Sequence, residues 1–334
     1  MYAALIAYAS LYPFVPLRLP GADWAAVFFR LRFLQEFDLW LNALAYVPMG
    51  LLACLYFRRA HATKAAIVRA IAFSTAFSFT MELCQFFIPF RVANIADVVA
   101  NGVGAAVGAC AFIEPIHAAF TRSVGDARER IVIAGGWGDA GLMLVTLWLL
   151  AQLNPALPFF EAGDIGDNPP SFVPGLVTSA AVALSVCGFG LFISALLNQP
   201  KGALRATLLL LTLALWFKFA MSSIMLKPHL TDDWLSEARM VGLAAGLVFF
   251  FPLRLLGRKV RIYAAILFLL AGALLAKIFG AYSTLGDFLR LFSWPYGQLA
   301  TFATLTRTLH ETWPVLAMGF LIALFIWRPD EPVK

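Results

Sequence analysis

Long apolar runs, interrupted by short polar segments, occupy most of the chain. The runs span roughly 16 to 24 residues, the length at which a helix crosses the hydrocarbon core of a bilayer. Alternating segments of about ten residues, which are typical of a transmembrane barrel, do not occur in the sequence. The segment 282–311, where aromatic and polar residues mix, is predicted to be interfacial or re-entrant. The runs predict ten membrane helices, near 1–17, 38–57, 65–87, 94–113, 139–153, 173–197, 203–226, 240–256, 261–281 and 312–327.

Composition and charge support a membrane protein. Of the 334 residues, 61% are hydrophobic and 13% are charged, whereas a soluble domain has about 25% charged residues. A net charge of +6 would suggest nucleic acid in a soluble protein, but here lysine and arginine concentrate in alternate loops. This asymmetry places both termini in the cytoplasm. We therefore predict an all-α, polytopic α-helical integral membrane protein, N-in and C-in, with no nucleic-acid partner.

The loop 114–138 is the best divider of the chain. It predicts a membrane domain of four helices at 1–113, a cytoplasmic linker at 114–138, and a further membrane domain of about six helices at 139–334, whose role the sequence leaves open. The four cysteines lie in apolar runs without C-x-x-C spacing, and the four histidines are scattered. We expect no metal site and no cofactor.

Polar residues recur at helical spacing in the fourth predicted helix. Asn94, Asp97, Asn101, Gly104 and Gly108 follow spacings of three or four residues, so they share one face. The two glycines form a G-x-x-x-G pair, which lets another helix approach closely. This face should pack against other helices rather than face lipid. It also offers a contact for a membrane protein partner.

The neighbouring helices bring further polar groups to the same depth. The second helix supplies Asp38 and Asn42, the third supplies Glu82 and Gln85, and Arg91 lies in the turn that follows. Because buried charges in a bilayer are costly unless they are paired or hydrated, we expect an outward-facing polar pocket. In it, Arg91 would bridge Glu82 and Asp97 by bidentate bonds.

Lys218 lies in the seventh predicted helix, with Ser222 on the same face. Its side chain either snorkels to the outer interface or faces the same pocket and attracts an anionic head group. The predicted substrate-binding residues are Asp38, Asn42, Glu82, Gln85, Arg91, Asn94, Asp97, Asn101 and Lys218.

Four motifs in this region resemble a known family. They are Y-x-S-L-x-P-F at 8–14, N-x-x-x-x-x-P-x-G at 42–50, E-x-x-Q at 82–85, and R-x-x-x-x-x-D-x-x-x-N-x-x-G-x-x-x-G at 91–108. Their order and spacing resemble the VanZ-like membrane domain over about 1–113. One usual feature differs, because the family often has an acidic residue where Asn94 stands.

The resemblance implies a small helical domain in a bacterial inner membrane and a role in the cell envelope. The family takes its name from a protein linked to low-level teicoplanin resistance, although its biochemical activity is not settled. We expect the pocket to bind a membrane lipid, a lipid-linked glycan or a glycopeptide, with Arg91 against an anionic group.

Two alternatives remain open. In the first, the protein is a membrane enzyme that acts on a lipid-linked substrate with Glu82 and Asp97 as acid and base. No Ser–His pair or similar nucleophile accompanies these carboxylates, so we favour binding over catalysis. In the second, the protein has a structural or partner-assembly role without a ligand.

Overall fold

In the computed structural model, the protein divides into two compact units, Met1–Val124 and Gly125–Lys334. Some side chains within helices, among them that of Asp38, lie outside the description. The structure describes residues 1–12, 14, 17–21, 23–29, 36–88, 91, 93–111, 125–160, 165, 175–231, 234–279, 284–293 and 297–327.

The first unit is built from helices of very different length. Those described are α1 (Tyr2–Leu11), α2 (Trp24–Phe28), α3 (Glu36–Phe57), α4 (Thr63–Gln85) and α5 (Ile95–Cys110).

The first helix is shorter than predicted. It ends at Leu11, whereas the apolar run predicted a helix up to residue 17. Tyr12 has an extended backbone, with φ −63° and ψ 134°. Because Tyr12 precedes a proline in the sequence, helical geometry is sterically disfavoured at this position.

Helices α3 and α5 pack backbone against backbone through glycines. A Cβ added at Gly104 would lie 1.9 Å from the carbonyl oxygen of Ala43, and one at Gly108 would lie 1.9 Å from that of Val47. The close approach predicted from G-x-x-x-G is therefore confirmed. In this structure α3 of the same chain lies against Gly104 and Gly108, and the predicted membrane protein partner at these glycines stays a prediction.

The second unit contains the longer part of the chain. Residues 125–131 are helical, and they are followed by α6 (Gly136–Ala151), α7 (Gly175–Leu196), α8 (Ala203–Met225), α9 (Glu237–Leu253), α10 (Arg258–Phe279), α11 (Leu285–Leu289) and α12 (Gly297–Trp327).

Helix α7 is the centre of the second unit. It packs on both α9 and α10, and from Ser185 to Leu196 every residue is buried. On α7, Phe189 and Phe192 lie against Trp313 of α12, with ring centroids 5.7 and 5.5 Å apart. Burial of this order is unusual for a single membrane helix exposed to lipid, and it identifies α7 as a core element.

The last helix is much longer than predicted. It begins at Gly297, whereas the sequence predicted an interfacial segment up to 311 and a helix only from 312. The polar residues of this segment are compatible with a helix. Arg307 and Glu311 form an i,i+4 ion pair at 3.1 Å, and the Thr306 hydroxyl donates to the carbonyl of Phe302.

The protein is an all-α, multi-pass membrane protein. Within the described residues, six helices are long and apolar enough to cross a membrane: Leu39–Phe57, Thr63–Gln85, Gly175–Leu196, Pro200–Met225, Arg258–Phe279 and Phe302–Trp327. The total of ten spans, the N-in and C-in orientation, and the linker role of 114–138 stay predictions.

Candidate functional site

One face of α4 is polar and buried. Ser74, Ser78, Glu82 and Gln85 are all less than a tenth exposed, and they follow helical spacing toward the C-terminal end of α4. The predicted polar face of this helix is therefore confirmed. Burial of four polar side chains on one face means that their partners must come from neighbouring helices.

The side chain of Glu82, on α4, is hydrogen-bonded to the start of α5. Its carboxylate oxygen Oε2 accepts a 3.0 Å hydrogen bond from the backbone N–H of Asn94. Asn94 is the N-cap of α5, and its Oδ1 accepts from the N–H of Ala96 at 2.8 Å. A helix N-terminus favours negative charge, so the carboxylates of Glu82 and Asp97 both lie where the helix dipole stabilises them.

Asp97 is joined to α3 by a charge-assisted hydrogen bond. Nδ2 of Asn42 donates to Oδ1 of Asp97 at 2.7 Å. This bond confirms that the polar stripes predicted on the second and fourth helices meet. The side chain of Asp38, which was predicted to join them, lies outside the described residues.

Asn101 links the two polar faces further along the helices. Its Nδ2 donates to the Ser78 hydroxyl at 2.8 Å, and Tyr46 of α3, which is buried, interacts with the same hydroxyl. Asn101 Oδ1 and Ser74 Oγ are buried and have no hydrogen-bond partner among the residues that the structure describes. These two oxygens therefore retain accepting capacity inside the helix packing.

Arg91 binds the carboxyl end of α1. Its Nη2 donates to the carbonyls of Ala9 and Tyr12 at 3.0 and 3.2 Å, and its Nε also donates to Tyr12. Burial lowers the pKa of Arg91 while the nearby Glu82 carboxylate raises it, and the guanidinium remains charged at neutral pH. Bidentate bonds from Arg91 to Glu82 and Asp97 stay a prediction.

The comparison with known families decides the identity of this unit. Residues 3–117 match the family model described as VanZ/LLP1. Residues 3–117 form a VanZ-like domain. The family resemblance seen in the motifs at 8–14, 42–50, 82–85 and 91–108 is thereby confirmed. No curated protein and no solved structure matches the chain.

Within the VanZ-like domain, the sequence did not predict the role of α1. The backbone carbonyls of Ala9 and Tyr12 receive Arg91, and that of Ser10 receives Nε2 of Gln85 at 3.2 Å. The last carbonyls of a helix lack partners inside the helix, so side-chain donors satisfy them. The proline shortly after Tyr12 marks this helix end, and it is the only sequence signal for such acceptors.

Seven of the nine predicted residues lie in the VanZ-like domain and form hydrogen bonds between its helices and turns, and we call this set the polar cluster. Its members are Asn42, Glu82, Gln85, Arg91, Asn94, Asp97 and Asn101.

Lys218 lies in the second unit, outside the VanZ-like domain. Its side chain is fully buried, so the predicted snorkelling to the interface is wrong. Nζ donates to the carbonyls of Asn154 and Leu157 at 2.9 and 2.7 Å, within the same unit. Backbone carbonyls in the turn after α6 therefore satisfy this ammonium group.

Proposed function

We propose that this membrane protein acts in the cell envelope of a bacterial inner membrane, where its VanZ-like domain binds an amphiphilic or lipid-linked molecule. The observation that carries the proposal is that Glu82, Arg91 and Asp97 lie close enough, in a largely apolar helical unit, for the charge of Glu82 to interact with both others. Ionisable groups at membrane depth are costly, and they usually mark functional sites. The binding pocket in this proposal opens toward the outer leaflet.

In this proposal Arg91 meets an anionic group of the ligand. A guanidinium is suited to phosphate and carboxylate, because its planar donors match their paired oxygens. In this proposal Glu82 and Asp97 hold Arg91 in place, and the guanidinium lies close enough to Glu82 for their charges to interact. The predicted hydrogen-bonding residues, Asn42, Gln85, Asn94 and Asn101, are already held by neighbouring helices, so less conformational entropy is lost on binding.

The ligand classes that fit are a membrane lipid, a lipid-linked glycan with its phosphates, and a glycopeptide with its carboxylate. Each combines an anion with many hydroxyl or amide groups. Binding of a glycopeptide would connect the protein to teicoplanin tolerance. All three share the anionic group that the proposal assigns to Arg91.

The test is mass spectrometry of what co-purifies with the protein from native bacterial membranes. Wild type is compared with Arg91→Ala and with Arg59→Ala, which removes an exposed arginine from the same unit. We expect wild type and Arg59→Ala to retain an anionic lipid or glycolipid that Arg91→Ala loses. Equal retention by folded Arg91→Ala would overturn the proposal.

A second function, structural stabilisation alone, is favoured by the pattern of bonds in the polar cluster. Asn42 joins α3 to α5, Asn101 joins α5 to α4, and Arg91 joins the turn before α5 to the end of α1. Hydrogen bonds between buried polar groups of neighbouring helices rigidify a protein and specify its fold. On this reading, Arg91→Ala lowers the unfolding temperature while the co-purifying molecules stay the same.

A further inference from the structure

The second unit contains a cleft whose described lining residues all belong to that unit. Its volume is ≈ 590 Å³ including its open mouth, and α6, α7, α10, α12 and the turn after α6 all line it. Most of this volume lies in the open mouth, so the cleft suits a chain that lies along its surface rather than a fully enclosed ligand.

The floor of the cleft is aromatic. Trp148 and Trp313 are each 4% exposed, with ring centroids 6.5 Å apart, and Phe160 lies 5.5 Å from Trp148. Phe160 has a φ of 61°, a left-handed conformation that is rare for a bulky residue. Strained backbone persists where surrounding contacts over-determine it, and it is common at ligand clamps. Here the strained backbone conformation holds the ring of Phe160 against Trp148.

The rim of the cleft is charged. Lys277 is exposed at the end of α10, and Glu311 lines the opposite wall. Glu311 forms a 3.1 Å ion pair with Arg307, which balances its negative charge. Because the charge of Glu311 is balanced by Arg307, which lies outside the lining of the cleft, Lys277 is left as a positive charge at the rim that favours an anion.

We infer that this cleft binds a membrane lipid with an anionic phosphate head group. The acyl chain lies on Trp148, Phe160 and Trp313, and the phosphate meets Lys277. Basic groups beside apolar clefts between membrane helices recognise anionic head groups in this way. The inference is independent of the proposed function, because the lining residues that the structure describes all belong to the second unit.

The experiment is native mass spectrometry of the full chain in detergent with dioleoyl phosphatidylglycerol or dioleoyl phosphatidylcholine. Wild type is compared with Lys277→Gln, with Ala273→Trp, which fills the cleft, and with Lys201→Gln, which removes an exposed lysine elsewhere in the unit. Ala273→Leu is a smaller filling that serves if the tryptophan variant does not fold.

We expect wild type and Lys201→Gln to bind phosphatidylglycerol more tightly than phosphatidylcholine. Lys277→Gln should weaken phosphatidylglycerol binding about fivefold and leave phosphatidylcholine binding unchanged. Filling the cleft at Ala273 should reduce the binding of both lipids.

Two results would overturn the inference. If a folded Ala273 variant bound phosphatidylglycerol like wild type, the lipid would not occupy this cleft. If Lys277→Gln kept the wild-type preference for phosphatidylglycerol, Lys277 would not recognise the head group.

Discussion

Asn42 and Asp97, which are 55 residues apart in the sequence, share a 2.7 Å hydrogen bond between α3 and α5. Because the acceptor is a carboxylate, this bond should be stronger than one between neutral groups. In a double-mutant cycle of Asn42→Ala and Asp97→Ala, we expect a coupling energy of about 1.5–3 kcal/mol in the free energy of unfolding. Reversible unfolding in detergent micelles measures it, and additive effects of the two changes would contradict a direct bond.

The glycine contacts between α3 and α5 predict that one added methyl group lowers the stability of the protein markedly. Gly104→Ala places a Cβ against the backbone of Ala43, which cannot rotate away, so the helices must separate. We expect a loss of about 1–3 kcal/mol, seen as a lower unfolding temperature. Gly319→Ala in α12 is the control, because its Cβ meets nothing within 4 Å. Equal stability of the two variants would show that the α3–α5 contact is looser than described.

Two substitutions at Glu82 can separate the effect of its negative charge on stability from the effect of its hydrogen-bond acceptor. In Glu82→Gln the side chain keeps an oxygen for the N–H of Asn94, so stability should change by less than about 1 kcal/mol. Glu82→Leu removes the acceptor and should cost about 1–3 kcal/mol. Thermal unfolding of both variants makes the comparison. A large loss in Glu82→Gln would mean that the negative charge itself stabilises the cluster.

Lys218 should be a major stabilising residue of the second unit. In Lys218→Met the carbonyls of Asn154 and Leu157 lose their buried donor, which should cost about 2–5 kcal/mol. The same variant should raise hydrogen exchange in the turn at 154–157, where that donor fixes the backbone. Lys201→Met, at an exposed position, is the control. Unchanged exchange in Lys218→Met would show that the turn is held by other contacts.

Helical periodicity predicted the faces of α4 and α5 correctly. Spacings of three and four residues placed Glu82 and Asn101 on inward faces, and both are about 5% exposed. The periodicity of a helix is fixed by its geometry, so such faces follow from local sequence. The glycines on α5 likewise predicted a closely packed helix, although not that it would be α3.

Tertiary partners could not be derived in the same way. Arg91 was expected to bridge two carboxylates, and the bonds described here run to backbone carbonyls of α1. Apart from the proline that marks the end of α1, backbone acceptors have no sequence signature, since every residue carries one. The beginning of α12 was missed for a different reason: polar residues such as Arg307 and Glu311 lower the hydropathy of a segment while forming an i,i+4 pair that favours a helix.

The long separation between Asn42 and Asp97 has a consequence for biosynthesis. Translation proceeds at about 5–20 residues per second, so the 55 intervening residues take roughly 3–11 s to make. During that interval α3 is in or near the membrane with its polar face lacking its native partner. A chaperone, the insertion machinery or water must shield Asn42 until α5 arrives, so this helix pair is a step at which membrane insertion is exposed to error.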